Sequence, residues 1–391
     1  MKREERQRVL SNRECINILS KDIDKITEEE KVKLRELYTG YGSMCADGLA
    51  QFYTPDSVCK MIANYVNPLL PNNPKVLEPS AGTGGLIRYI RDDAKITCVE
   101  IDQTSSKIMS LCYPNFEVIN DSAMNHDRNE YYDIIISNPP FNIPVYGDID
   151  KWKCAKFDKK KNQYKANSDA LFLELAVKSL RVGGYGIFIL PSGIGYKAAM
   201  KKTRQMLLDN CWIIANIELP SATFSKSGTT IKTHIIIFRK APKLPKFKCT
   251  SKCDDHGGEF LLGQPPIQCV QINDIGFDEK GRESKRYKDN DWYSNQLEEA
   301  LERISDDLYR QNTCPEKPTW SEKEDITQCM YWGEYSNGYQ LNKNRQDPKD
   351  LVYFQELTLG RGCEIEYNGV EYNTLDWDVM DELVNTYGNI N

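Results

Sequence analysis

Between residues 75 and 239 the chain repeats one pattern: a short, almost wholly apolar run followed by a polar connection. The runs are KVLEP (75–79), KITCVE (95–100), FEVI (116–119), YDIIIS (132–137), YGIFILP (185–191), WIIANIEL (212–219) and THIIIFR (233–239). Runs this short and this apolar suit strands covered on both faces, and helix-length connections return successive strands parallel to one another. The first five runs are spaced for such connections. The last two lie close together and are expected to pair antiparallel at one end of the sheet. The pattern predicts an α/β fold, a doubly wound Rossmann-like sheet of seven strands.

What flanks this region is less regular. Residues 1–50 are charged and helix-prone, with TEEEKVKLREL the clearest segment, and are expected to form a short helical N-terminal segment. Thr54-Pro55 reads as an N-cap followed by a proline at the first helical position, opening an amphipathic helix over 55–66. Prolines at 242, 245, 265 and 266 mark a boundary, so 51–245 is assigned to one domain and 246–391 to a smaller C-terminal module for target recognition or partner binding. Within that module SNQLEEALERISDDLYR (294–310) is the one clear helix. No apolar run is long enough to span a membrane. The start, MKREERQRVL, has no apolar core of an export signal, and thirteen cysteines without one read as reduced thiols, so a cytoplasmic location is expected.

The residues after the strands carry the chemistry. After the first comes Glu78-Pro79-Ser80-Ala81-Gly82-Thr83-Gly84-Gly85, a glycine turn that lets backbone approach a ligand closely. It is not the G-x-G-x-x-G of a dinucleotide site. The second strand ends at Glu100, where an acid can accept from two ribose hydroxyls. The third ends in Asn120-Asp121-Ser122, where an acid can accept from an adenine amino group. The fourth ends in Asn138-Pro139-Pro140-Phe141, a stiff turn beside a nucleotide-type site. An adenine amino nitrogen is a poor nucleophile because its lone pair is delocalised. The amide oxygen of Asn138 and the carbonyl of Pro139 can accept its two hydrogens and favour the charge that develops as it reacts. Phe141 offers a stacking face.

E-P-S-A-G-T-G-G, V-E-I-D and N-D-S resemble the cofactor motifs of the S-adenosylmethionine-dependent methyltransferases, and N-P-P-F resembles the catalytic motif of the enzymes that methylate amino groups. Gln51-Phe52-Tyr53-Thr54-Pro55 ahead of the first strand and L-P-S-A-T-F-S-K-S-G-T-T-I-K-T-H-I-I-I-F (219–238) behind the sixth complete the set. In that order they resemble the γ-class N6-adenine DNA methyltransferases, in particular the modification subunits of type I restriction systems. The resemblance covers roughly 40–245. It implies that Thr54, Glu78, Gly82 and Gly84 hold the methionine end of S-adenosylmethionine, Glu100 the ribose and Asp121 the adenine. It further implies catalysis by Asn138, Pro139, Pro140 and Phe141, with Phe224 on the other face of the target base. The N-terminal segment is shorter than in type I modification subunits, and the pattern of the module from about 246 identifies no recognition domain, so it does not reveal a target sequence.

The implied substrate is DNA, and the implied partner a specificity subunit or a second copy of the chain. Net charge is −6, yet seven acids lie beyond Arg361 and residues 1–361 carry +1. Residues 151–165 (KWKCAKFDKKKNQYK) hold seven lysines against one aspartate, with Trp152, Phe157 and Tyr164 interleaved. As a loop leaving the catalytic turn, it is expected to meet DNA phosphates through Lys159, Lys160 and Lys161. Cys249, Cys253, His256 and Cys269 match no strong zinc spacing, and no metal is assigned. Two rival readings remain at this point: a methyltransferase for ribosomal RNA or a protein glutamine, and a non-catalytic DNA-binding subunit.

Overall fold

A computed structural model of the chain describes residues 3–40, 52–227, 230–248, 259–265, 267–278, 280, 282, 296–309, 353–357, 364–373 and 378–388. The protein is a mixed α/β fold around one mostly parallel sheet. Its strands are β1 (Lys75–Glu78), β2 (Lys95–Val99), β3 (Glu117–Ile119), β4 (Tyr132–Ser137), and, beyond a small separate sheet, β8 (Leu180–Pro191), β9 (Cys211–Leu219) and β10 (Thr233–Lys240). All seven expected strands are present.

Alternation along the strands sorts side chains onto two apolar layers. Val76, Ile134, Ile136, Ile187 and Ile189 enter one core, while Leu77, Ile135, Phe188 and Leu190 enter the other. The first layer is covered by α3 (Asp56–Val66) and by the helix Gln296–Tyr309. The second is covered by α5 (Ser168–Ser179) and, after the single turn α6 (Gly193–Tyr196), by α7 (Lys201–Asn210). Sheets buried on both faces need apolar residues at every position, hence the unbroken runs in the sequence.

Three features of the sheet depart from expectation. β9 and β10 do pair antiparallel, but β10 is inserted between β8 and β9 rather than closing one end. After a separate two-stranded pair, β11 (Lys246–Lys248) and β12 (Glu259–Leu261), the chain rejoins the main sheet. It does so through β13 (Ile267–Gln271), parallel to β9, and β14 (Tyr353–Leu357), antiparallel to β13. Among the described residues the sheet has nine strands in the order β14-β13-β9-β10-β8-β4-β1-β2-β3. The boundary drawn at 245 is therefore crossed by the sheet itself, and Leu297, Ala300, Leu301 and Ile304 join the first core. Finally, β1 and β2 are joined by a series of turns over 79–93 rather than by a helix.

The N-terminal segment forms α1 (Arg3–Leu19) and α2 (Glu28–Leu37). Thr27 opens α2 with a capping box: its side chain accepts from Glu30 N, and the Glu30 carboxylate accepts from Thr27 N. Cys15, Ile18, Leu34 and Tyr38 pack the pair on Ile108 of α4 (Gln103–Cys112). Among the described helices none is long and apolar enough to cross a membrane.

Between β4 and α5 the lysine-rich segment is not a loop. It contributes β5 (Pro144–Gly147), β6 (Lys156–Asp158) and β7 (Gln163–Asn167), a small antiparallel sheet in the order β5-β7-β6. Strand order reverses between β1 and β4, and the carboxyl ends at such a switch point form a crevice.

Candidate active site

A cavity of about 710 Å³ opens at that crevice. Into it come Glu78 and Gly82 from the end of β1, Glu100 from β2, Asp121 from β3 and Asn138-Pro139-Pro140-Phe141 from β4, with Thr54 beside Asn138. These nine are the residues the sequence assigned to cofactor and catalysis, apart from Gly84 and Phe224.

Asn138 is fixed in orientation. Its Nδ2 donates to the carbonyl of Phe52 at 2.8 Å and to Thr54 Oγ1 at 3.0 Å. A backbone carbonyl can only accept, so the amide cannot be turned over. Asn138 Oδ1 is left buried with no hydrogen-bond partner. Thr54 consequently does not cap its helix: α3 begins at Asp56, Pro55 occupies the cap position, and no side chain caps it. The Thr54 hydroxyl accepts from Asn138 Nδ2 instead.

The turn after Asn138 is held from behind by the start of α5. Ser168 Oγ donates to the Pro140 carbonyl at 2.6 Å and accepts from Ile143 N at 3.0 Å. Asn142 has φ +53°, and its N–H donates to the Asp169 carboxylate at 3.2 Å. Burial pushes the Asp169 carboxyl up to about 6, against the Asn142 hydrogen bond and the Lys197 charge.

Two buried acids face the same space. Glu78 is 1% exposed, and neither carboxylate oxygen makes a hydrogen bond of normal geometry. Burial pushes its carboxyl well above the ordinary range and the Glu100 charge adds to this, with donors at Ser80 and Asn138 opposing in part. Glu100 accepts from Gly82 N and from Asp102 N, each at 2.7 Å, and burial raises it too. Each of its oxygens keeps a lone pair for a further donor. Asp121 is exposed at the rim, where Oδ1 accepts from Ser122 N and Asn125 Nδ2.

Gly82 has φ +53°, and a Cβ there would sit 2.6 Å from the Tyr53 ring. Gly84, at φ +83°, does not line the cavity; a Cβ would sit 2.8 Å from the Tyr113 ring. Phe224 is fully buried and meets Phe141 edge-on, 6.5 Å between centroids at 88°. It buttresses Phe141 instead of presenting a face to the cavity.

Lys159, Lys160 and Lys161 are exposed together at the β6–β7 turn, held by Asp158 Oδ1 accepting from Lys160 N at 2.9 Å. Trp152 is 1% exposed and belongs to the second core, so it is no part of an aromatic surface, whereas Phe157 is 50% exposed. Cys249, Cys253 and His256 lie outside the described residues, as does Gln51, and Cys269 is buried in β13. Sequence reasoning missed Arg35 and Tyr38 from the N-terminal segment, Tyr53, and Phe277 from beyond β13, all of which line the cavity. Only Tyr53 lies within one of the sequence motifs; nothing in local spacing marks the others.

Residues 37–252 match the family model described as N-6 DNA Methylase. The chain belongs to that family. The fold and the combination of motifs around Asn138 agree with the membership. Among relatives, the methylase subunit of the Escherichia coli type I restriction enzyme EcoEI is 25% identical over 256 residues, covering 58% of this chain and 50% of that one. The MpnII type I methylase subunit of Mycoplasma pneumoniae is 22% identical over 243 residues, covering 52% of this chain and 42% of the relative. This family member thus spans about half the length of those two relatives. A solved type I methyltransferase subunit from Streptococcus thermophilus superposes with a TM-score of 0.48 at 15% identity, covering 75% of this chain and 60% of that one.

Proposed function

We propose that the protein transfers a methyl group from S-adenosylmethionine to the N6 amino group of an adenine flipped out of DNA. The observation that carries this reading is Asn138: its amide nitrogen is tied to Phe52 and Thr54, and its oxygen is buried without a partner. A fixed, unsatisfied acceptor in a cavity waits for a donor, and an amino group supplies one.

The cavity also fits the cofactor. S-adenosylmethionine supplies an electrophilic methyl group on a positively charged molecule. Two buried acids, one of them unpartnered, match its cationic methionine end, and the turn at Gly82 leaves backbone uncovered beside them. Glu78 would hold the ammonium, Glu100 the ribose hydroxyls and Asp121 the adenine edge. Asn138 Oδ1 and the Pro139 carbonyl accept from the target amino group and stabilise the charge it gains. Phe141 stacks on the base, with Phe224 behind it. Drawing an adenine out of a duplex costs roughly a few kcal/mol, which such stacking offsets. Relatives named as methylase subunits of type I restriction enzymes support a partner subunit, which we propose to be a specificity subunit or a second copy.

The test is transfer of labelled methyl groups to duplex DNA, with digestion to nucleosides. N6-methyladenine is the expected product. Label on guanine in RNA or on a protein glutamine, with DNA unmodified, would reject the reading; so would inactivity on all three.

Cofactor binding is expected to release protons. Burial raises Glu78 in the free protein, and a cation beside it lowers it again. Affinity therefore increases as pH rises, until Glu78 is ionised in the free protein as well. Calorimetry of the cofactor in two buffers of different ionisation heat should show unequal apparent enthalpies, and Glu78→Gln should remove the inequality. Equal enthalpies for the wild type would contradict this role.

Replacing Lys159, Lys160 and Lys161 together by Ala should flatten the salt dependence of DNA binding by about 0.9 for each phosphate no longer neutralised. An unchanged slope would make the hairpin tip an ordinary solvated surface.

A further inference from the structure

The cofactor cavity has an unmatched cationic N–H donor as well as an unmatched acid. Arg35, in the last turn of α2, lines it, and its Nε is buried with no hydrogen-bond partner. Among the described residues no carboxylate lies within ion-pair distance of it. Arg88, which also lines the cavity, is committed: Nη1 pairs with Asp56 at 2.8 Å and Nε donates to Tyr113 OH. Leaving a buried guanidinium donor unmet is costly unless a ligand completes it.

Arg35 is tied to the glycine turn in two ways. Its carbonyl accepts from Thr83 Oγ1 at 3.2 Å, and its guanidinium lies over the Tyr113 ring, 5.6 Å from the centroid. Tyr113 reaches that place because Gly84 has no side chain to obstruct it. Gly84 thereby acts on the site without lining it. A guanidinium whose Nε lacks a hydrogen-bond partner and an acid whose two oxygens lack one, both at one glycine turn, are the complement of a zwitterion. A phosphate would match the cation but bring no positive charge to Glu78.

Accepting the cofactor reading above, we propose that Arg35 holds the α-carboxylate of the methionine end, opposite Glu78 at the ammonium. A planar guanidinium fork matches a carboxylate with two parallel hydrogen bonds. The N-terminal segment thus completes the cofactor site.

Calorimetry with S-adenosylhomocysteine, its decarboxylated form and 5′-methylthioadenosine tests this in the full chain. The wild type should prefer S-adenosylhomocysteine to the decarboxylated form by roughly 10- to 100-fold, as expected for a hydrogen-bonded charge pair. Arg35→Met keeps an apolar stem on Tyr113 and should abolish that preference while leaving affinity for the other two compounds unchanged. Should that variant not fold, Arg35→Lys, which keeps the charge but not the fork, should show a reduced preference. Equal weakening for all three compounds would make Arg35 a support of the glycine turn and overturn the proposal, as would an unaltered preference. A wild type that binds none of the three would instead overturn the cofactor reading itself.

Discussion

Asn138→Ala is expected to lose methyl transfer by roughly 100- to 1000-fold while still binding S-adenosylhomocysteine. That is the usual cost of removing one preorganised hydrogen bond to a developing charge. The oxygen removed is the one the fold leaves unmatched, since the amide nitrogen is already committed to Phe52 and Thr54. Thr54→Val should show a smaller loss, because the Phe52 carbonyl still orients the amide. The measurement is single-turnover labelled methyl transfer to duplex DNA, with cofactor affinity determined alongside. Comparable loss of cofactor binding in Asn138→Ala would show that the residue shapes the cavity and does not act on the amino group.

Phe238→Ala should destabilise the protein by about 3–5 kcal/mol, the range for truncating a buried phenylalanine. Phe238 is fully buried on β10, directly opposite Gly186 of β8, and stacks on Phe188 at 5.8 Å. A side chain at Gly186 would fall inside the Phe238 ring, so Gly186→Ala alone should cost about 1–3 kcal/mol through overpacking. Combined with Phe238→Ala, the added methyl enters vacated space, and the double variant should be more stable than the sum of the two single effects implies. Residues that touch couple by about 0.5–3 kcal/mol. Urea unfolding of the four proteins measures the cycle. Strict additivity would mean that β10 does not pack on β8 as described.

The strands and the site motifs were legible because their signals are local. A strand buried on both faces must be apolar at every position, and the residue types that follow it are set by the turn it enters. KVLE, KITCV and YDIIIS announce β1, β2 and β4, and Glu78, Glu100 and Asn138 follow at their ends. The shared cavity follows from the switch between β1 and β4, which the alternating pattern implies. Even so, the orientation of Asn138 was not legible, because its anchors sit 86 and 84 residues away.

Only the tertiary structure decided which strands are neighbours and what closes the site. THIIIFR reads as a strand wherever it pairs; its place between β8 and β9 depends on Phe238 meeting a glycine across the strand gap. IQCVQ, expected in a separate module, extends the main sheet because its apolar face completes a core that α3 and β1 begin far earlier in the chain. The lysine-rich segment carries no alternation strong enough to announce its hairpin. Arg35 and Phe277 reach the cavity from opposite sides of the matched motifs. Periodicity along a chain specifies which faces must be buried. Which surfaces bury one another is settled by packing between residues far apart in sequence, and that packing is where Arg35, Tyr53 and Phe277 acquired their places.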